Sequence, residues 1–178
     1  MDEASEVRRI ASGDQLAFKR LAQVYLPAIE FYALRLTSNR ALAEDVAQET
    51  LLTLWLKAAD YDPKKARLTT WLHQIAYYRV IDALRVAQRY SSADAEVPDT
   101  TAEDATDAER ASAAGIKNAL LSLPERQRNA LVLTYYQEFT NREVAMLMGI
   151  SRRAVESLLV RARQAVRQAL ETANGSHL

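Results

Sequence analysis

The chain has 178 residues, with 23 Lys and Arg against 23 Asp and Glu, four glycines, four prolines and no cysteine. That length allows one or two small domains with cores of their own, and the wealth of Ala, Leu, Arg and Glu favours helices. Without cysteine there are no disulfides, zinc–thiolate sites or thiol catalysis; no apolar run approaches a membrane span, and the opening MDEASEVRR lacks a signal-peptide core, so no membrane insertion and a cytoplasmic location are expected.

The neutral total conceals an asymmetry. Residues 1–90 carry 13 basic against 11 acidic side chains, residues 91–113 one against seven, and residues 114–178 nine against five. Two mildly basic blocks flank an acidic strip.

In chain order, Gly13-Asp14 opens a first helix with Phe18, Leu21, Ala22 and Tyr25 on one face, and Pro27 is expected to interrupt or restart it. A second helix carries Ile29, Tyr32, Ala33 and Leu36 until Ser38-Asn39 breaks it. A third starts near Leu42 and presents Val46, Thr50, Thr53 and Leu54. Spacings of three, four and seven also place Asp45, Gln48, Glu49 and Leu52 on one of its faces, with Trp55 beyond. Acids on a helix surface are usually just solvated, so the residues alone leave a protein interface there open.

Tyr61-Asp62-Pro63-Lys64-Lys65 reads as a loop, followed by a helix from about Thr69 to Arg89. Loop and helix combine Lys64, Lys65, Arg67, Arg79, Arg85 and Arg89 with Tyr61, Trp71, His73, Tyr77, Tyr78 and Tyr90. Cations interleaved with aromatics suit single-stranded nucleic acid, because bases stack on rings while Lys and Arg follow the phosphates. The competing reading makes Trp71, Ile75, Val80 and Leu84 core with tyrosines at its border, and for Trp71 the core is favoured. Tyr77 and Tyr78 are adjacent and point to different faces, so spacing does not separate their roles; His73 is expected at the helix border.

From Ser91 to Ala113 the chain is rich in Ser, Thr, Asp and Ala, contains Pro98 and lacks apolar periodicity, which reads as a flexible connection with a helical turn near its end. Ile116, Ala119, Leu120 and Leu123 then start a helical stripe that stops before Pro124, which suits the first turn of a helix through Leu131, Val132 and Tyr135. Asn141 to Arg163, NREVAMLMGISRRAVESLLVRAR, has the pattern of a helix-turn-helix. Ala145 sits where two helices cross closely, Gly149 takes the tight turn where a positive φ is cheap only without a Cβ, and Ser151 can cap the second helix. Val144, Met148, Ile150, Val155 and Leu158 supply apolar contacts, leaving Arg152, Arg153, Glu156, Ser157 and Arg161 outward. Long donors and one acceptor on such a helix suit phosphates and base edges in a major groove; the plainer alternative is an amphipathic hairpin with a solvated basic face. The second helix continues through Leu159, Ala162, Val166 and Leu170 to Asn174-Gly175.

The expected fold is all-α: two small helical domains, residues 1–90 and 114–178, joined by a flexible acidic linker, the second containing the helix-turn-helix. With two histidines (His73 and His177), no glycine-rich phosphate loop and no metal-ligand cluster, neither an enzyme nor a metal or other cofactor is expected. A stand-alone helix-turn-helix regulator would account for the second domain but would need neither Asp45, Gln48 and Glu49 nor the aromatic-basic helix.

AEDVAQETLLTLW (Ala43–Trp55) followed by TTWLHQIAYYRVIDALR (Thr69–Arg85) resembles domain two of bacterial extracytoplasmic-function (ECF) sigma factors, and Leu123–Arg163 resembles their domain four. The resemblance implies a promoter-specificity subunit of RNA polymerase. Asp45, Gln48 and Glu49, with Leu52 as apolar support, would dock on the clamp helices of the largest polymerase subunit, and domain four would meet the polymerase flap. Tyr61, Lys64, Lys65, Arg67, Arg79 and Arg85 would meet the −10 element of promoter DNA, while Arg152, Arg153, Glu156, Ser157 and Arg161 would read the −35 element. An anti-sigma factor is the implied regulator, and the linker is expected to follow the polymerase's RNA-exit path. Family members commonly carry Arg-Asn where this chain has Tyr77-Tyr78, which points to a changed −10 preference.

Overall fold

The computed structural model describes residues 2–90 and 107–175, with side chains over residues 2–87 and 113–172. The chain divides into two units, Met1–Val97 and Pro98–Leu178. The first holds α1 (Glu3–Ala11), α2 (Gln15–Thr37), α3 (Arg40–Lys57), a 3-10 turn (Ala58–Asp60) and α4 (Leu68–Tyr90). The second holds α5 (Asp107–Leu121), α6 (Glu125–Tyr135), α7 (Asn141–Met148) and α8 (Arg152–Gly175). Among the described residues all regular structure is helical, and no helix is long and apolar enough to cross a membrane. Residues 91–106 of the acidic connection, the side chains of Arg89 and Tyr90, and His177 lie outside the described residues. α5 begins at Asp107, inside the stretch read as linker, where Ala108, Ala111, Ala113 and Ala114 give strong helix propensity without an apolar stripe.

In the first unit Asp14 caps α2, its carboxylate accepting from the backbone N–H of Leu16 at 2.9 Å and of Ala17 at 3.0 Å. The bond from Ala17 and the Arg9 guanidinium hold that carboxyl below its ordinary range. α2 then runs unbroken through Pro27, contrary to the expected interruption. Pro27 removes one ladder bond at a cost of about 3 kcal/mol. Leu21 and Tyr25 before it and Ile29, Tyr32 and Leu36 after it are all buried on one continuous stripe. Each of these contributes roughly 1.5–3 kcal/mol, so a continuous helix wins over a break. Asn39 starts α3 two residues before the expected Leu42 by accepting the Leu42 N–H at 3.0 Å.

The sequence reading did not contain α1. Only Val7 and Ile10 of this helix are buried, and long-range bonds hold it in place. Glu6 accepts from Arg20 Nε and Nη2 at 3.0 and 2.7 Å, and the buried Tyr25 hydroxyl donates to Glu3 and lies 3.2 Å from Thr69 Oγ1. Tyr25 therefore ties α1, α2 and the start of α4 together. Burial, then the Glu3 hydrogen bond, push the Tyr25 phenol well above its ordinary value of about 10. The folded chain thus keeps a proton that the unfolded chain releases above about pH 10, so this contribution is intact below that pH and fades as pH rises past it. Tyr25→Phe is expected to cost about 1 kcal/mol at neutral pH and to flatten the alkaline fall in stability, both read from thermal melts across pH.

The buried side of α4 differs from the expected one. Val80 is buried, but Trp71, Ile75 and Leu84 are only partly covered, and the rest of the fully or nearly fully buried set is Leu68, Thr70, Leu72, His73, Ala76 and Tyr77. His73, expected at the border, is fully enclosed; its Nδ1–H donates to the Thr69 carbonyl at 2.9 Å and its ring meets Tyr32 edge-on at 5.5 Å. A satisfied imidazole is a permitted core residue, which is why polarity misled here.

In the second unit α5, α6 and α7 pack on α8. Pro124 precedes α6, and its carbonyl accepts from Gln127 and Arg128 at 2.9 and 3.0 Å. The half-buried Arg128 returns its guanidinium to the Leu121 and Leu123 carbonyls at 2.8 and 3.1 Å, and burial lowers its pKa.

Candidate functional site

On α3 the side chains of Asp45, Gln48, Glu49 and Leu52 are all exposed, and the helix forms a ridge between two grooves. Gln48 and Leu52 face an apolar groove toward α2 lined by Phe18, Leu26, Leu51 and Trp55, in which Phe18 and Trp55 meet edge to face at 5.4 Å. Asp45 and Glu49 face a second groove toward α4, lined by Leu42, Val46, Arg79, Asp82, Ala83 and Val86. One expected surface therefore presents carboxylates on one flank and an apolar wall on the other.

The next constellation begins at the loop after the 3-10 turn. Asp62 shapes it, its side chain accepting the Lys64 N–H at 2.9 Å and its carbonyl the Lys65 N–H at 3.0 Å. Lys64, Lys65 and Arg67 are thereby exposed together. Tyr61 donates to the Ala66 carbonyl at 3.2 Å and lays its ring on Trp71, centroids 5.4 Å apart at 44°. Burial, followed by the nearby Glu3 and Asp62 charges, raises the Tyr61 pKa. Trp71 thus sits on the outer side of α4 under a loop residue, which accounts for its partial cover.

Arg85 is exposed further along α4 and pairs with Asp82 at 3.3 Å. Arg79 departs from this group. It turns toward α3 and pairs with Glu49 at 3.0 Å, both side chains about half exposed, so one residue from each expected surface meets the other. Tyr77 and Tyr78, inseparable by spacing, divide cleanly: Tyr77 is buried and Tyr78 is 50% exposed.

The helix-turn-helix is built by local chemistry. Thr140 and Glu143 form a capping box at the start of α7, each bonding the other's backbone N–H at 3.3 and 2.9 Å; Thr-x-x-Glu is a signal that the sequence reading passed over. Gly149 ends α7 at φ +64°, and the next N–H, of Ile150, returns to the Ala145 carbonyl at 3.0 Å. Ser151 Oγ then accepts the Ala154 N–H at 3.1 Å and starts α8. Val144, Met148 and Val155 are buried, whereas Ile150 and Leu158 are partly covered and Leu159 takes the enclosed place beside them. Gly149→Ala puts a Cβ in the left-handed region and is expected to cost the second unit about 1 kcal/mol in denaturant melts, with Ser157→Ala as a neutral control.

Arg152, Arg153, Glu156, Ser157 and Arg161 are all exposed along α8. Glu156 holds Arg152 at 3.3 Å, and Arg161 Nη2 donates to Ser157 Oγ at 2.9 Å. Val160, which the sequence reading omitted, is 56% exposed within this arc. Among the described residues no group of His, Cys, Asp and Glu is placed to hold a metal ion.

Two family models match in this order: sigma-70 region 2 over residues 21–90 and sigma-70 region 4 over residues 114–166. The class is that of sigma-70 transcription initiation factors. The chain is 31% identical over 157 residues to the ECF RNA polymerase sigma factor RpoE of Cereibacter sphaeroides, covering 87% of each protein. It is 28% identical over 178 residues to SigW, an ECF sigma factor of Bacillus subtilis, covering 92% of this chain and 94% of that one. Among solved structures it is similar to the sigma factor RpoE of Bartonella quintana in complex with the anti-sigma factor NepR, with 26% identity and TM-score 0.73 over 86% of this chain and 96% of that one. The chain belongs to the ECF family of RNA polymerase sigma factors.

Proposed function

We propose that this protein binds core RNA polymerase, directs it to promoters through paired −35 and −10 elements, and nucleates strand separation at the −10 element. The observation that carries this reading is the pairing, within one chain, of an exposed α3 ridge beside an aromatic-basic α4 with a separate unit bearing an exposed basic α8. Residues up to 90 act as the polymerase-docking and −10 domain, residues 91–113 as the connection, and residues 114–178 as the −35 domain. Asp45, Gln48, Glu49 and Leu52 dock on the clamp helices of the largest subunit, and the second unit sits against the flap.

Tyr61, Lys64, Lys65, Arg67 and Arg85 serve the −10 strand, and Arg79 joins them when its half-solvated bridge to Glu49 opens; Arg152, Arg153, Glu156, Ser157 and Arg161 serve the −35 duplex. Stacking contributes roughly 1–3 kcal/mol per base, comparable with the unstacking cost of a step, so opening needs neither ATP nor a catalytic residue. The protein works in the cytoplasm beside polymerase. Control by an anti-sigma factor is supported by the similar RpoE, which was solved with one bound.

Run-off transcription from a genomic promoter library, with core polymerase present and this protein present or absent, tests the reading. Protein-dependent transcripts sharing −35 and −10 elements are expected. Duplex binding without polymerase-dependent initiation would replace the proposal with a stand-alone regulator.

A further inference from the structure

The outer side of α4 carries a line of residues that the assigned site leaves partly unused. Trp71, Tyr78 and Arg85 are seven residues apart, so they lie along one side of the helix at steps of about 10.5 Å. Leu72, Ala76 and Val80, all fully buried, occupy the opposite side. The first position is a ring pair, because Tyr61 covers Trp71 from the loop. The last is an exposed guanidinium, and Lys64, Lys65 and Arg67 add cations at the loop end.

Tyr78 stands between them. It is 50% exposed, and the buried Tyr77 meets it edge to face, centroids 5.2 Å apart at 70°. A ring held from one side and open on another loses little rotamer freedom when a flat group lies on it. Asp82 lies between Tyr78 and Arg85, 3.3 Å from the latter. Its carboxylate repels phosphate, so a strand crossing this stretch turns a base, rather than its backbone, toward the helix.

We propose that Tyr78 is a base-stacking residue, receiving the face of an unpaired nucleobase of the opened −10 strand beyond the Tyr61–Trp71 end, with Arg85 meeting the backbone further on. The proposal rests on the promoter-opening role and adds a residue outside the assigned −10 set. Stacking reads the π face rather than a hydrogen-bonding edge. At this position the protein therefore accepts all four bases and holds purines, with their larger faces, more firmly.

The test uses holoenzyme assembled from core polymerase and the full chain on a forked promoter fragment, with 2-aminopurine placed singly at each unpaired −10 position. In the wild type one position is expected to be quenched. Tyr78→Phe keeps that quenching, while Tyr78→Ala releases it at that position alone and weakens fragment binding about tenfold. Because the side chain is exposed, neither variant threatens the fold. If wild-type holoenzyme opens the fragment but no position responds to Tyr78→Ala, stacking is overturned and the parent reading survives. If wild-type protein supports no polymerase-dependent opening at all, both fall together.

Discussion

Glu49→Lys is expected to lower affinity for core polymerase by at least about tenfold and to remove most polymerase-dependent transcription, with duplex −35 binding by the second unit retained. Truncating one member of an interfacial charge pair commonly costs 2–5 kcal/mol, and a reversed charge adds repulsion. The fold should tolerate the change, because Glu49 is exposed and its pairing with Arg79 is a half-solvated bridge of the kind that contributes about 1 kcal/mol or less. Fluorescence anisotropy of labelled protein against core polymerase gives the affinity, with Asp60→Lys as a control at another exposed acid of the same unit. Equal affinity for Glu49→Lys and wild type would return the α3 ridge to ordinary solvated surface.

The second large effect concerns the −35 duplex. Replacing Arg152 and Arg153 together by Ala removes two exposed cations from the start of α8, where a helix in the major groove makes its contacts. If both guanidiniums meet phosphates, the log–log dependence of binding on salt should lose about 0.9 per contact, and all sequences should weaken alike. If either reads a guanine edge, discrimination at one base pair should fall by roughly 1–3 kcal/mol. Binding titrations at several salt concentrations on consensus and single-substituted duplexes separate these. A double variant with unchanged affinity and salt slope would remove this face of α8 from DNA binding.

Much of this architecture is legible in the sequence because helices announce themselves locally. The α7–α8 corner depends on Gly149, Ser151 and residues within a few positions of them, all of which act on the backbone close by. The Asp45–Leu52 face follows from helical periodicity alone. What stayed hidden depends on distant partners. α1 has two buried residues, and its place comes from Glu6 meeting Arg20 and Glu3 meeting Tyr25, neither of which spacing can show. Pro27 reads as a stop until the buried residues on both sides of it are seen to share one stripe. The 100° between neighbours on a helix left Tyr77 and Tyr78 undecided, and the same ambiguity moved Trp71 inward and His73 outward. Charge groups Arg79 with the other α4 cations, and its bridge to Glu49 on α3 is a further contact that spacing cannot show.

Helices often finish on a glycine or on solvent, leaving their last carbonyls loosely served. α5 ends differently, since Arg128 of the next helix supplies donors to Leu121 and Leu123. That loan fastens the corner between α5 and α6 from the far side of the turn. Damage at position 128 would accordingly loosen the scaffold that holds α8 in place.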